Sequence, residues 1–207
     1  MNLILLGAPG SGKGTMAQKL TSELNIPQIS TGDIFRKHLK EETPLGLQIK
    51  DIVSGGGLVP DEITIEIVKL RLAEPDCLHG YILDGFPRSI AQAEALDAFQ
   101  NVDCAINLDV DKEVVVKRLS GRRFCPDCNG TFHVSTLTNA EICPNCSGKL
   151  VIRPDDSEAT VRERLKVYET NTFPLIEYYE KRGKLLTIDG NGSIDQVYGR
   201  IVKALKK

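Results

Sequence analysis

The sequence predicts an α/β fold in which helices cover both faces of a five-stranded, doubly wound parallel sheet. Short apolar runs alternate with longer helical patterns along most of the chain, and this alternation is typical of repeated βαβ units. Three of the apolar runs lead directly into polar, glycine-containing motifs. Since ligands bind at the carboxyl ends of the strands in such sheets, these motifs indicate where the functional site lies.

Each expected element follows from its hydrophobic pattern. The apolar runs that predict buried strands are 2–6, 28–30, 81–84, 104–109 and 185–189. The patterns that predict helices are 13–24, 61–72, 89–99, 111–119 and 193–205. The polar motifs begin at Gly7, Ser30 and Asp84, and the expected sheet brings all three to the same edge.

Two stretches interrupt the alternation and are expected to leave the sheet. Residues 30–59 have helical patterns without a strand, and they include the flexible sequence Ser-Gly-Gly-Gly near their end. Residues 121–154 are rich in loop-forming residues and hold four of the six cysteines. The remaining segments, 1–29, 60–120 and 155–207, are expected to form the core around the sheet.

Composition places the chain among ordinary globular proteins. With 207 residues, of which 41% are hydrophobic and 26% charged, it has the material for one well-cored domain with a small insertion. The formal net charge of −2 argues against a nucleic-acid partner. No apolar stretch is long enough for a membrane span, so no membrane partner is expected. We therefore expect a cytoplasmic protein whose cysteines are reduced.

The most specific motif follows the first expected strand. Residues 7–15 read G-A-P-G-S-G-K-G-T, close to the phosphate-binding pattern G-x-x-x-x-G-K-[ST]. The glycines let backbone N–H groups converge on anionic oxygens, and Lys13 adds a full positive charge at the start of a helix. Gly14 stands where the pattern has a hydroxyl residue, and Thr15 supplies the hydroxyl one position later. An ordinary glycine-rich turn is the alternative, but the lysine and the strand-to-helix context argue against it.

Charged residues near the strand ends and around the second excursion add to this candidate site. Asp84 closes an apolar strand, where a P-loop enzyme places a carboxylate for Mg²⁺; the alternative is a strand-end cap. Arg88 follows in the same motif and suits bidentate phosphate binding. Arginines at both stems of residues 121–154 meet when the ends of this excursion come together. Arg162 is expected on the surface, because Arg164 faces another way on the same helix.

The four clustered cysteines predict a metal site. Cys125 and Cys128 form one C-x₂-C pair, and Cys143 and Cys146 form a second pair after fourteen intervening residues. This spacing is typical of a structural Zn²⁺ site with four thiolate ligands and no open position for chemistry. A redox C-x-x-C is the alternative, but it does not explain the duplication. His133 is the histidine expected to meet a ligand, by stacking on a base.

The motifs together resemble those of bacterial adenylate kinase, in the form whose lid contains a zinc ribbon. They are L-G-A-P-G-S-G-K-G-T, S-T-G-D, D-G-F-P-R and G-R-R, with R-x-D-D ahead of V-R-E-R-L, and the likeness covers the whole chain. The resemblance implies a P-loop NTPase fold with an AMP-binding excursion at 30–59 and a zinc-ribbon lid at 121–154. Phe132 stands where the family usually has tyrosine, and the lid is shorter than usual between its two cysteine pairs.

The resemblance also implies a role for each matching residue. ATP would be held by Gly10, Ser11, Gly12, Lys13, Gly14, Thr15, Arg118, Arg122, Thr131, Phe132 and Gly192. AMP would be held by Thr31, Arg36, Gly57, Leu58, Val59, Gly85, Phe86, Pro87, Arg88, Gln92, Arg153 and Arg164. The catalytic residues would be Lys13, Arg88, Arg122, Arg153, Arg164 and Asp84. Asp84 would order hydrated Mg²⁺, with Asp33, Asp155 and Asp156 as helpers.

The implied reaction is ATP + AMP = 2 ADP, in a protein expected to be a monomer with Mg²⁺ and a structural Zn²⁺ as cofactors. No general base is required, because the AMP phosphate is already largely dianionic near neutral pH. Two alternatives remain open. A related kinase acting on UMP or CMP would share the fold, although Thr31 and Gln92 favour adenine. A non-catalytic zinc-ribbon module that binds NTP would keep the P-loop but has no need of Arg88.

Overall fold

Five parallel strands form the central sheet of the computed structural model, which describes residues 1–206. The strands are β1 (Asn2–Leu6), β2 (Gln28–Ser30), β3 (Tyr81–Asp84), β4 (Cys104–Asp109) and β7 (Leu185–Asp189), in the order β2-β3-β1-β4-β7. All five coincide with the predicted strands. The strand order reverses at β1, so the loop that follows β1 emerges at a switch point of the sheet, where ligands bind in folds of this class.

Helices pack on both faces of the sheet, as predicted. Along the described chain they are α1 (Lys13–Leu24), α2 (Thr31–Lys40), α3 (Pro44–Ser54), α4 (Asp61–Leu72), α5 (Ile90–Phe99), α6 (Lys112–Ser120), α7 (Glu158–Val167), α8 (Pro174–Glu180) and α9 (Ile194–Leu205). Three predicted helices began one residue too early, at Ser89, Asp111 and Ser193, because these residues are the N-caps. The Ser89 and Ser193 hydroxyls accept hydrogen bonds from backbone N–H groups of the first turn.

The side chains of β1 alternate between the two hydrophobic layers. Leu3 and Leu5 pack with residues of α1 and α9, whereas Ile4 and Leu6 pack with residues of α4, α5 and α8. All four side chains are buried. A strand buried on both faces in this way appears in a sequence as an unbroken apolar run, and this is why its bounds could be predicted.

The two stretches that interrupt the βα alternation form separate structures. In residues 30–59, α2 and α3 pack around a small cluster of Phe35, Ile49 and Val59; we call this segment the helical insertion. Within 121–154, which we call the cysteine insertion, β5 (Arg122–Phe124) pairs with the antiparallel β6 (Thr131–His133). Phe124 also bridges Val151 on its other side.

The structure describes all but the last residue of the predicted segments. Lys207, the last residue of the predicted core segment 155–207, lies outside the described residues. Among residues 1–206, no helix has the length and apolar character needed to cross a membrane.

Candidate active site

A cavity of about 870 Å³ opens at the carboxyl ends of β1, β2 and β3. Most of the residues predicted for the site line it: Gly10, Ser11, Gly12, Lys13, Gly14, Thr15, Arg36, Leu58, Asp84, Gly85, Pro87, Arg88, Arg118, Arg122, Thr131, Phe132, Arg153, Arg164 and Gly192. The core, the helical insertion and the cysteine insertion therefore all contribute to one space. Its size suits small-molecule ligands, whose pockets are commonly about 300–1,000 Å³.

Five predicted residues, Thr31, Gly57, Val59, Phe86 and Gln92, are not among those lining the cavity. Val59 and Phe86 are buried in hydrophobic clusters. The Thr31 hydroxyl donates to the Gly85 carbonyl oxygen at 2.8 Å. Gln92 is buried, and its amide connects the Arg88 backbone to a carboxylate. The structure thus places the side chains of Thr31, Val59, Phe86 and Gln92 behind the wall of the cavity.

The phosphate-binding loop is held open for an anion by the way α1 begins. Gly12 is the N-cap with φ 102°, a left-handed conformation that favours glycine, and no side chain caps the helix. The first turn of α1 also has no acidic residue, unlike most other helices of this chain. The N–H groups of that turn are therefore available to an anion. The Ser11 hydroxyl is buried beside them and has no hydrogen-bond partner within the described part of the chain.

Lys13 and Asp84 face each other on the cavity floor. The Lys13 ammonium donates to the carbonyl oxygens of Gly7 and Ala8 at 2.7 and 2.9 Å, which orients it within the loop. Burial lowers the pKa of Lys13 to about 8, with the Asp84 charge opposing part of this shift. Burial likewise raises the pKa of Asp84, while the Lys13 charge opposes the rise. The two groups titrate closer to neutrality than in water, as residues of a binding site often do.

Gly14, the departure from the usual loop pattern, lies directly against Asp84. A Cβ atom at position 14 would lie 3.4 Å from Asp84 Oδ2, so a longer side chain would extend toward the carboxylate. Gln28 donates to the same oxygen at 3.1 Å. The missing side chain therefore leaves space beside a buried carboxylate. Oxygen ligands of this kind suit Mg²⁺.

Arg88 is fixed by contacts from three parts of the chain. Its Nε donates to the Gly85 carbonyl oxygen at 2.8 Å, and its backbone N–H donates to Gln92 Oε1 at 2.7 Å. Gln92 Nε2 in turn donates to Asp61 Oδ1 at 2.6 Å. The Thr172 hydroxyl donates to the Arg88 carbonyl oxygen at 2.9 Å. Burial lowers the pKa of Arg88 to about 10, and the Arg164 charge adds to this shift.

Thr172 was not identified in the sequence. It lies in a single π-helical turn, Tyr168–Thr172, between α7 and α8. Such turns often occur at functional sites because they shift side chains out of the α-helical pattern. Thr172 is far from Arg88 along the chain, and a lone threonine within a helical pattern gives no sequence signal of this contact.

Two arginines on the cavity wall share one buried carboxylate. Arg122 Nε donates to Asp156 Oδ2 at 2.7 Å, and its terminal nitrogen contacts the other carboxylate oxygen. Arg164 Nη1 contacts Asp156 Oδ1 at 3.2 Å and Asp155 Oδ2 at 2.8 Å. The Asp156 side chain is 0% exposed. Asp156 therefore positions the two arginines, and its carboxylate oxygens are engaged with guanidinium groups. Arg162, as predicted, is on the surface, with its side chain 78% exposed.

Arg36 and Arg153 reach the cavity from the two insertions. Arg36 contacts the Asp33 carboxylate, and Arg153 donates to the Thr131 hydroxyl at 3.3 Å. The Nε atoms of both arginines are buried and find no hydrogen-bond partner among residues 1–206. Burial lowers the pKa of Arg153 to about 9, and the nearby charges of Arg36 and Arg122 lower it further. Cations held this close together favour an anionic ligand.

The opposite end of the cavity has fewer charges. Arg118 donates to the carbonyl oxygens of Ser11 and Gly190 at 3.1 and 3.0 Å, so it connects the phosphate-binding loop to the loop after β7. His133 also lines this end, where its Nδ1 lies 2.7 Å from the Ser135 hydroxyl oxygen. Further lining residues were not predicted, and they include Val114, Lys117, Ser135, Thr136, Ser193, Ile194, Asp195 and Val197.

The four cysteine sulfurs of the cysteine insertion converge, all lying within 4.8 Å of one another. The Cys125 and Cys146 sulfurs are 3.5 Å apart, as are those of Cys128 and Cys143. Zn–S bonds of about 2.3 Å place the sulfurs of a tetrahedral site about 3.8 Å apart, so the cluster fits zinc.

Comparison with known proteins adds independent findings. The family model described as adenylate kinase matches residues 5–184. The chain is 49% identical to an adenylate kinase of Clostridium kluyveri, over 99% of this chain and 98% of that protein. It is 49% identical to one of Finegoldia magna, over the full length of both. The identity to one of Clostridium tetani is 50%, over 99% of this chain and 98% of that protein.

Proposed function

The chain belongs to the adenylate kinase family, and on this basis we propose how its residues divide the work of phosphoryl transfer. The protein is a phosphotransferase that acts as an adenylate kinase, exchanging a phosphoryl group between ATP and AMP. One observation supports these proposed roles most strongly. Six cationic side chains from three parts of the chain line one cavity at the start of α1. They are Lys13, Arg36, Arg88, Arg122, Arg153 and Arg164.

ATP occupies the end of the cavity formed by the phosphate-binding loop. Its β- and γ-phosphates accept from the N–H groups at the start of α1 and from Lys13, as in P-loop enzymes generally. The adenosine lies toward Arg118, Phe132 and Gly192. Arg118 is already fixed to carbonyl oxygens on both sides, so its guanidinium presents a defined surface for the base.

AMP occupies the side of the cavity next to the helical insertion. Its phosphate is bound by Arg36 and Arg88. Gln92 and Thr31 act from behind the cavity wall: Gln92 holds the Arg88 backbone, and Thr31 holds the Gly85 carbonyl oxygen. Adenine specificity therefore comes from the shape of this wall as well as from direct contacts with the base.

Phosphoryl transfer in this site depends on positioning and on neutralising charge. Lys13, Arg122, Arg153 and Arg164 surround the transferring group and stabilise its negative charge. No side chain is needed to remove a proton, since the attacking phosphate of AMP is already ionised near neutral pH. Asp84 and the space beside Gly14 would hold hydrated Mg²⁺, which supplies further charge neutralisation when bound.

The cysteine insertion acts as a zinc-stabilised lid over the phosphates. Cys125, Cys128, Cys143 and Cys146 would hold Zn²⁺ with four protein ligands, and the metal would then stabilise the fold of the insertion that contains Arg122 and Arg153. Closure of both insertions excludes water, which would otherwise accept the phosphoryl group. We infer a monomer as the working unit, because the whole cavity is formed by one chain.

The test of this proposal is ADP formation from ATP with AMP, CMP, UMP or GMP supplied separately. We expect AMP to be preferred by at least about a hundredfold in kcat/KM, the discrimination that specific base contacts can provide. Comparable rates with UMP or CMP would instead indicate a pyrimidine monophosphate kinase. Salt-dependent binding of RNA or DNA without AMP-stimulated ADP formation would contradict the proposal.

A matched pair of variants on α7 tests the assigned roles. Arg164→Ala removes a cation that faces the cavity, and we expect kcat to fall by about a hundredfold or more. Arg162→Ala removes a cation two residues away whose side chain is 78% exposed, and it should leave kcat unchanged. Equal rates for the two variants, with both proteins folded, would remove Arg164 from the site.

A further inference from the structure

Phe124, at the end of β5, is a buried aromatic residue beside the proposed phosphate site. Only 8% of it is exposed, and backbone hydrogen bonds fix it on two sides. It pairs with Thr131 of β6 on one side, and it exchanges two backbone hydrogen bonds of 2.8 Å with Val151 on the other. The position of its ring is therefore set by the central strand of the cysteine insertion.

Two arginines from different insertions lie close to this ring. The Arg153 guanidinium carbon is 4.3 Å from the ring centroid, and that of Arg36 is 5.8 Å from it. Both distances are within the range of cation–π attraction. Arg153 follows Val151 by two residues, whereas Arg36 belongs to α2 of the helical insertion. The ring is thus a point where the two insertions meet.

The two guanidinium groups repel each other here, and the carboxylates of Asp33 and Asp155 offset only part of this repulsion. Their mutual charge contributes to the lowered pKa of Arg153, after the effect of burial. Both Nε atoms are buried and have no hydrogen-bond partner in the described chain. Hydrogen bonds at these atoms therefore do not offset the free-energy cost of burying two positive charges close together. The π-face of Phe124 supplies negative potential at the place where these donors lack an acceptor.

We propose that Phe124 is a positioning residue for phosphoryl transfer, which holds Arg36 and Arg153 together so that the helical and cysteine insertions close on the nucleotides as one unit. This inference rests on the proposed roles of Arg36 and Arg153. Phe124 acts through these arginines and does not itself touch the phosphates. It gives the AMP side of the cavity a direct connection to the lid.

The test compares Phe124→Leu, which removes the π-face while keeping an apolar side chain, with Phe124→Tyr, which keeps the ring. For Phe124→Leu we expect KM for AMP to rise about fivefold, the size of one partly buried cation–π contact, with a smaller change in KM for ATP. Phe124→Tyr should restore KM for AMP to within about twofold of the original protein. Phe99→Leu, on α5 away from the cavity, is the control and should change neither KM.

Zinc content and melting temperature, measured on each variant, separate positioning from folding. The proposal expects Phe124→Leu to retain one zinc per chain, and it would be overturned by an unchanged KM for AMP in that folded protein. Equal losses in the Leu and Tyr variants would also overturn it, because the ring would then have no specific role. The original protein's preference for AMP is measured in the same assay, so failure of the proposed function would be recognised separately.

Discussion

The helical insertion and the cysteine insertion both cover the same cavity, but different interactions hold them together. The helical insertion packs two helices around Phe35, Ile49 and Val59, all of them buried. The buried cluster of the cysteine insertion consists of two cysteines and Leu150. The apolar cluster of the helical insertion also packs against Ile63 and Ile67 of α4, whereas a segment with so few buried apolar side chains needs a cross-link or a metal.

This difference shows that one site can combine a segment stabilised by apolar packing with a segment stabilised by metal ligands. Arg36 is attached to a segment with its own apolar cluster, and Arg122 and Arg153 are attached to one that depends on its metal ligands. Lys13, Asp84 and Arg88 belong to neither, because the parallel sheet positions them. Changes that act on the sheet, the cysteine insertion or the helical insertion alone separate these three contributions to the site.

Removal of the Lys13 charge should cause the largest loss while leaving both insertions folded. For Lys13→Ala we expect kcat to fall by about a thousandfold, because a preorganised cation at the transferring group is lost. The melting temperature and the zinc content should stay unchanged, since Lys13 belongs to neither insertion. Steady-state kinetics and zinc analysis check both expectations. A near-normal rate in folded protein would contradict the role of Lys13.

Removal of zinc should unfold one insertion and spare the other. With a chelator present, we expect amide hydrogen-exchange protection to fall by about two orders of magnitude in the cysteine insertion, because metal binding there is coupled to folding. Protection in α2, α3 and β1 should remain. Equal loss of protection in both insertions would show that they do not differ as described.

The lowered pKa of Lys13 predicts a pH dependence near pH 8 that originates in the phosphate-binding loop. Its ammonium form predominates below pH about 8 and is lost as the pH rises through that value. Since phosphates bind the charged form, kcat/KM for ATP should fall about tenfold for each pH unit well above the pKa.

Lys13→Arg provides the control for this pH profile. A guanidinium keeps its proton to higher pH than an ammonium, so the decline near pH 8 should move to higher pH even if the overall rate is lower. A decline at the same pH in the Arg variant would assign the titration to another group.

A cavity in the helical insertion should have the smallest effect on turnover. Ile49→Ala removes a fully buried side chain, and we expect about 2–4 kcal/mol of destabilisation together with an increase of a few fold in KM for AMP. Zinc content should not change. The corresponding Leu150→Ala variant should be less destabilising while zinc is bound, because the metal ligands hold the cysteine insertion together. A larger loss of stability for zinc-bound Leu150→Ala than for Ile49→Ala would contradict the difference between the two insertions.

Much of the fold could be predicted because its strands are buried on both faces. The apolar runs of β1, β3 and β4 have no other simple interpretation, and their bounds agree with the structure. The phosphate-binding loop and the cysteine pairs could be predicted for a related reason: their chemistry requires particular residues at fixed spacing. The expectations of a cytoplasmic location and of no nucleic-acid partner stay predictions.

Contacts between distant parts of the chain could not be predicted. Nothing near Thr172 indicates that it holds Arg88, and nothing near Asp156 indicates that it binds both Arg122 and Arg164. Asp156 forms ion pairs with both arginines, and the expectation that it assists Mg²⁺ stays a prediction. Phe124 gave no signal because a single aromatic residue in a short strand usually indicates packing. These roles depend on three-dimensional proximity and not on local sequence pattern.

The most direct test of this account is AMP-dependent ADP formation, measured on the same protein before zinc removal, after it, and after zinc is restored. We expect kcat to fall by about a hundredfold in zinc-free protein, because the unfolded cysteine insertion no longer holds Arg122 and Arg153 in the cavity. We also expect full recovery when one zinc per chain is returned. Zinc-free protein that keeps its original rate would contradict the claim that the metal-folded insertion completes the active site.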